Sequence, residues 1–187
     1  YLGSDALGGA INIITNQQTK NFMDVSYSIG SFHTHQFDFN SQYVLPKTKI
    51  IIKPVFSVHY SRNDYTMKDV QIRSEDKTEF ITTDCHRFHD DYLSLFGQLE
   101  AGVINRSWAD AFFVSTSWSK VDKELQTGAT QSWVYGMAER NTHSASVSAR
   151  FVKSNILMQG LNMNTSFSHT WDHSEIVDTT YRKYYWD

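Results

Sequence analysis

Catalysis or metal binding needs nucleophiles, acids, bases or ligand atoms at workable spacing, and the histidines of this chain are the first place to look. There are eight in 187 residues. His33 and His35 stand two apart in His-Thr-His, so on a strand they would share a face and could chelate a metal. With no further ligands in view, the plainer reading is two solvated histidines at a hairpin tip. Cys85, His86 and His89 cluster in Asp-Cys-His-Arg-Phe-His-Asp-Asp, residues 84–91, but a second ligand pair at zinc-site spacing is missing. Contact with a bound ligand is the better expectation for His33, His35, His86 and His89, and for Trp133 and Tyr135 in a later polar stretch. Neither a metal nor a cofactor is expected. The Gly-rich stretch Gly3-Ser4-Asp5-Ala6-Leu7-Gly8-Gly9 lacks the Lys-Ser/Thr of a phosphate loop. No nucleophile elbow or dinucleotide fingerprint occurs, so nothing points to an enzyme.

Composition narrows the classes further. The formal net charge is −3, with 17 Lys and Arg against 20 Asp and Glu, which argues against a nucleic-acid partner. No apolar run approaches the roughly 18 residues of a membrane helix. A transmembrane strand needs only about ten residues, half of them polar, so the membrane stays open. Aromatic residues are plentiful at 14%, and they suit both strands and membrane interfaces. One cysteine, Cys85, rules out an internal disulfide.

The residues above need elements to position them, and from residue 22 the period is two. In 22–31, Met23, Val25, Tyr27 and Ile29 oppose Asp24, Ser26, Ser28 and Gly30. The same alternation recurs in 36–44, 50–61, 92–103, 111–120, 142–152 and 161–172, giving seven expected strands and no helical stripe. Pro54 interrupts the third, where a bulge or a locally unpaired position is expected. Connections near 45–49, 105–109 and 154–158 are tight, whereas 62–91, 122–140 and the stretch from 174 are long. Long and short connections alternating in this way fit an up-and-down barrel whose ends face different compartments. The polar faces are rich in Ser, Asn and Gln and thin in charge, which leans towards a lumen. Glu100 and Arg150 on that face could touch a plug or pair with their neighbours. Tyr27, Tyr43, Tyr60, Trp118 and Trp171 lie near strand ends on the apolar faces, where aromatic girdles sit.

The opening segment Leu-Gly-Ser-Asp-Ala-Leu-Gly-Gly-Ala-Ile-Asn-Ile-Ile-Thr resembles the end of the plug domain of TonB-dependent outer-membrane receptors. Gly3, Ser4, Asp5, Ala6, Gly8, Gly9, Ile11, Asn12 and Ile13 carry the likeness, and Leu2 departs from it where the family often has an aromatic residue. Asn-Arg-Ser-Trp-Ala-Asp at 105–110 and Arg-Phe-His-Asp-Asp-Tyr at 87–92 are similar to this family as well. The physical reading of the motif stands beside this: glycines permit a tight turn, and the Ile-Asn-Ile-Ile run suits a buried strand. The resemblance implies an all-β fold, an antiparallel up-and-down meander forming about seven strands of a larger transmembrane β-barrel. Residues 1–20 would end the plug domain, and 21–187 would begin the barrel. Roughly 22 strands close such barrels, so most of the plug would lie upstream and further strands downstream. It also implies a cell outer membrane location and active uptake of a scarce ligand: siderophore-iron, haem, cobalamin or an oligosaccharide. The implied partners are outer-membrane lipid, the imported small ligand, and the TonB energy-coupling complex through an upstream segment. The alternative is a soluble all-β ligand-binding domain, such as a carbohydrate-binding sandwich.

Overall fold

A computed structural model describes residues 20–74, 79–127 and 134–179, with the backbone of 183–184. The plug-like segment, including Gly3, Ser4, Asp5, Ala6, Gly8, Gly9, Ile11, Asn12 and Ile13, lies outside the described residues, as does Trp133. Ten strands follow in order: β1 (Phe22–Gly30), β2 (Thr34–Val44), β3 (Ile51–Ser61), β4 (Thr66–Arg73), β5 (Phe80–His86), β6 (Tyr92–Ile104), β7 (Ala111–Thr127), β8 (Val134–Lys153), β9 (Met163–Asp178) and β10 (Lys183–Tyr184). The architecture is an all-β, antiparallel up-and-down sheet running β1-β2-β3-β6-β7-β8, with β9 and β10 both paired to β8. β4 and β5 form a separate hairpin within the long connection between β3 and β6. Among the described residues β1 pairs only with β2 and β9 only with β8, so the sheet has two edges.

The register fixes which residues share a face. Val25 stands opposite Phe39, Phe39 opposite Phe56, Leu99 opposite Thr116, and Val147 opposite His169, so the apolar positions of all seven long strands lie on one side. That side is not a packed core: Val25 is 55% exposed, Leu99 48% and Phe167 61%. The opposite side is polar and internally hydrogen-bonded. Ser115 pairs with Ser148 at 2.8 Å and Ser117 with Ser146 at 2.7 Å, while Ser57 Oγ donates to Asp38 at 2.7 Å. Glu100 accepts from Lys53 Nζ at 2.7 Å, and Arg150 lies over the Phe113 ring at 5.4 Å, so both are engaged by neighbours in the sheet.

Near the tight-turn end the polar side carries one apolar cluster, Ile51, Ala111 and Phe113, packed by Val44, Ile104 and Val152. Gly102 makes room for it, because a Cβ there would meet Phe112 O at 2.3 Å and Phe113 Cδ1 at 2.4 Å. Below it Asp110 ties two turns together, accepting from Ser154 N at 2.6 Å. Ser154's side-chain and backbone donors, with Lys153 adding to them, hold the Asp110 carboxyl below its usual range. Pro54 causes no bulge. The β2–β3 ladder skips Ser41 and Gln42, opposite Pro54 and Lys53, and resumes in the same register.

Two expectations about the long connections need correction. Residues 122–140 are largely strand, because β7 runs on to Thr127 and β8 starts at Val134; likewise β9 continues to Asp178. The β9 extension is largely exposed and held by its ladder to β8, whereas Gln126, Val134 and Ala138 in the extensions of β7 and β8 are buried. The connection 62–91 holds the β4–β5 hairpin, whose Met67, Val70 and Cys85 pack with Val134 at the start of β8. Burial pushes the Cys85 thiol up from its ordinary pKa. Native protein should therefore react slowly with a thiol reagent. Val134→Asp should undock the hairpin and raise the labelling rate about ten- to hundredfold, the equivalent of losing one buried Val contact. An unchanged rate would show that the hairpin does not depend on this contact.

Candidate functional site

Antiparallel order places the turns 45–50, 105–110 and 154–162 at one end of the sheet and the long connections at the other. At the long-connection end, the segment 87–91 leads into β6 and is bonded to the end of β3 and to Lys123 and Glu124 of β7. Asp90 anchors it: its carboxylate, 5% exposed, accepts from Arg87 at 2.5 Å and from Lys123 at 2.7 Å. Asn63 Nδ2 donates to the Asp90 carbonyl at 3.0 Å. Glu124 N donates to the Asp91 carbonyl, and Asp91 N donates back to Glu124 Oε2, both at 2.9 Å. Tyr60 OH donates to Asp91 Oδ2 at 2.8 Å.

This clamp positions His89. Its φ is +48°, a left-handed conformation rare for a side-chain-bearing residue and a common mark of functional sites. Its Nδ1 lies 3.3 Å from Glu124 Oε1, and its Nε2 is buried with no hydrogen-bond partner among the described residues. Glu124 stands directly across the β7–β8 ladder from Glu139. His89, Glu124 and Glu139 each offer a ligand atom, and these atoms lie within 4.8 Å of one another. The cluster borders an open cavity of about 480 Å³ lined by five carboxylates, Asp91, Asp122, Glu124, Glu139 and Glu175, against two lysines, Lys120 and Lys123. Both lysines are ion-paired to aspartates, Lys120 to Asp122 at 2.6 Å and Lys123 to Asp90.

Of the described residues singled out in the sequence, only His89 takes part. His33 and His35 do not share a strand face: His33 sits in the β1–β2 turn at φ +54°, and only His35 is in β2. Ser31 to His33 make the reversal and β2 begins only at Thr34, so the two histidines fall on either side of that boundary. His35 Nδ1 instead meets Tyr27 OH at 2.8 Å, and its ring stacks with Tyr27 and Tyr60 at the rim of the apolar side. His86 ends β5 with its Nδ1 3.4 Å from Thr66 Oγ1, away from His89's partners. Tyr135 lies in β8 opposite Lys183. Glu124 and Glu139 were not legible as candidates, since only the register brings them together. Their signal was the charge in two polar runs flanking one connection.

No family model matches the chain, and no curated protein or solved structure matches it at a significant level.

Proposed function

We propose that this chain is an all-β ligand-binding module that takes its ligand at the long-connection end of the sheet, and that its setting is the outer membrane, as part of a TonB-dependent receptor. The observation that carries the membrane setting is the apolar side of the sheet. It is continuous over seven strands and exposed, and contiguous exposed apolar surface on this scale needs a partner. Its course supports lipid as that partner. The ladder row through Ile29, Tyr60 and Leu93 reaches Asp122, Asn141 and Glu175, while on β7–β9 the apolar band has stepped back to Trp118, Ala145 and Trp171. A band oblique to the ladder is what strands tilted by about 35–45° to a planar boundary carry. Tyr27, Tyr43, Trp118 and Trp171 are all exposed along it, as interfacial aromatics would be. No described helix is long and apolar enough to cross a membrane, which leaves strands as the spanning elements of this reading.

Within that reading the charged extensions of β7, β8 and β9 stand clear of the apolar band, and the cavity beside Glu124 meets ligand first. Import itself involves no bond chemistry, and the plug-like segment 1–20 would link ligand capture to the energy-coupling complex. A second reading, a soluble all-β ligand-binding domain, is favoured by the His89, Glu124 and Glu139 group, whose ligand atoms come together with no need of lipid. Fractionation separates the two. In cells making the full-length gene product, the protein should sediment with outer membranes and resist carbonate extraction. Recovery in the soluble fraction would favour the second reading.

A further inference from the structure

We propose that His89, Glu124 and Glu139 form a binding site for one divalent cation of the zinc class. Three observations converge on it. The first is the ligand set itself, with one imidazole and two carboxylates offering atoms within 4.8 Å of one another. A tetrahedral zinc site with bonds of about 2.0–2.1 Å needs neighbouring ligand atoms about 3.3 Å apart. Glu139, whose carboxylate has no hydrogen-bond or ion-pair partner among the described residues, can close that difference by rotating. The second is the spacing already present at the imidazole. His89 Nδ1 lies 3.3 Å from Glu124 Oε1, the separation of two neighbouring ligand atoms on one tetrahedral ion. The third is electrostatic. Glu124 and Glu139 oppose one another directly across the β7–β8 ladder, and like charges in that relation repel. The two lysines of the adjoining cavity are already committed to Asp90 and Asp122. A dication would neutralise the two glutamates.

The donor chemistry selects the class. A site led by imidazole suits zinc and its neighbours among the first-row metals, whereas calcium and magnesium take oxygen ligands in larger number. Three protein ligands leave a fourth position facing the cavity, open to water or to an oxygen of a bound small ligand. The site stands whether the apolar side of the sheet meets lipid or water, so its failure and the failure of the membrane reading are separable.

The test is a calorimetric titration of the metal-stripped full chain with Zn²⁺. One saturable site should appear, with Ca²⁺ at the same concentration failing to compete. His89→Ala and Glu139→Gln should each weaken it at least about tenfold, while a His33→Ala/His35→Ala double variant should leave it unchanged. Shielding of Cys85 from a thiol reagent reports that the loop end stays folded in each variant. Glu139→Gln has a second signature. Relief of the like-charge pair should raise the melting temperature of the metal-free protein, and the further rise on adding Zn²⁺ should vanish. Absence of a saturable site would overturn the proposal, as would affinities in His89→Ala and Glu139→Gln equal to that of the parent.

Discussion

Leu99→Arg should cost about 2–4 kcal/mol of assembled protein in a bilayer, the penalty for a cationic side chain on the lipid face near mid-membrane. Leu99 sits on β6 midway along the apolar run from Leu93 to Val103 and is 48% exposed. Its neighbour Gln98 projects from the polar side, opposite Val55 and Ser117. Gln98→Arg is therefore the control, one residue away and pointing to water or lumen, where a substitution stays within about 0.5 kcal/mol. The readout is the folded fraction in lipid vesicles across a urea titration. A protein whose apolar side faces water would tolerate both changes alike, and equal stability of the two variants would contradict the lipid-facing assignment.

Gly102→Ala should destabilise the sheet by about 1–3 kcal/mol, the cost of overpacking a close contact. The new methyl would meet a main-chain oxygen, Phe112 O, at 2.3 Å as well as the Phe113 ring. A ring can turn aside, but the oxygen moves only if the β6–β7 ladder opens. Phe113 has little freedom either, because Lys53 Nζ lies 4.6 Å from its ring centre and Arg150 covers it too. Gly97 is the internal comparison, on the same strand but facing the exposed apolar side, with nothing within 4 Å of a Cβ. Gly97→Ala should be neutral or gain up to about 1 kcal/mol from reduced backbone entropy in the unfolded chain. Equal unfolding midpoints for the two variants would mean that the Phe113 contact is not tight in solution.

The long strands were legible because a period of two assigns every residue to a face without knowledge of its partner. Met23, Val25, Tyr27 and Ile29 needed no tertiary information to be read as one side of β1. The β4–β5 hairpin was hidden for the same reason in reverse. Its register shifts between Met67 and Val70, which breaks the alternation that would have announced it. The ends of β7 and β8 look like loop in the sequence because Lys120, Asp122, Glu124 and Glu139 put charge on a side that is apolar elsewhere. Position along the strand decides there: these residues lie past the apolar band, where the side chains no longer need to match it. The candidate site was half legible. His89 showed by type, but Glu124 and Glu139 are 15 residues apart and meet only because they face one another across the ladder. The left-handed backbone of His89 is set by the Asp90 and Asp91 anchors and left no mark in the local sequence.

The most direct measurement of the membrane assignment uses the chain's own tryptophans. Trp118 and Trp171 lie on the apolar side, two strands apart and both exposed. Full-length gene product carrying a single tryptophan, at either position, would be reconstituted into bilayers whose acyl chains are brominated, with a Ser117→Trp protein lacking all others as the polar-side control. The account predicts strong quenching at Trp118 and Trp171 and little at position 117. Tryptophans 118 and 171 that escape the brominated chains but yield to a water-soluble quencher such as iodide would contradict it.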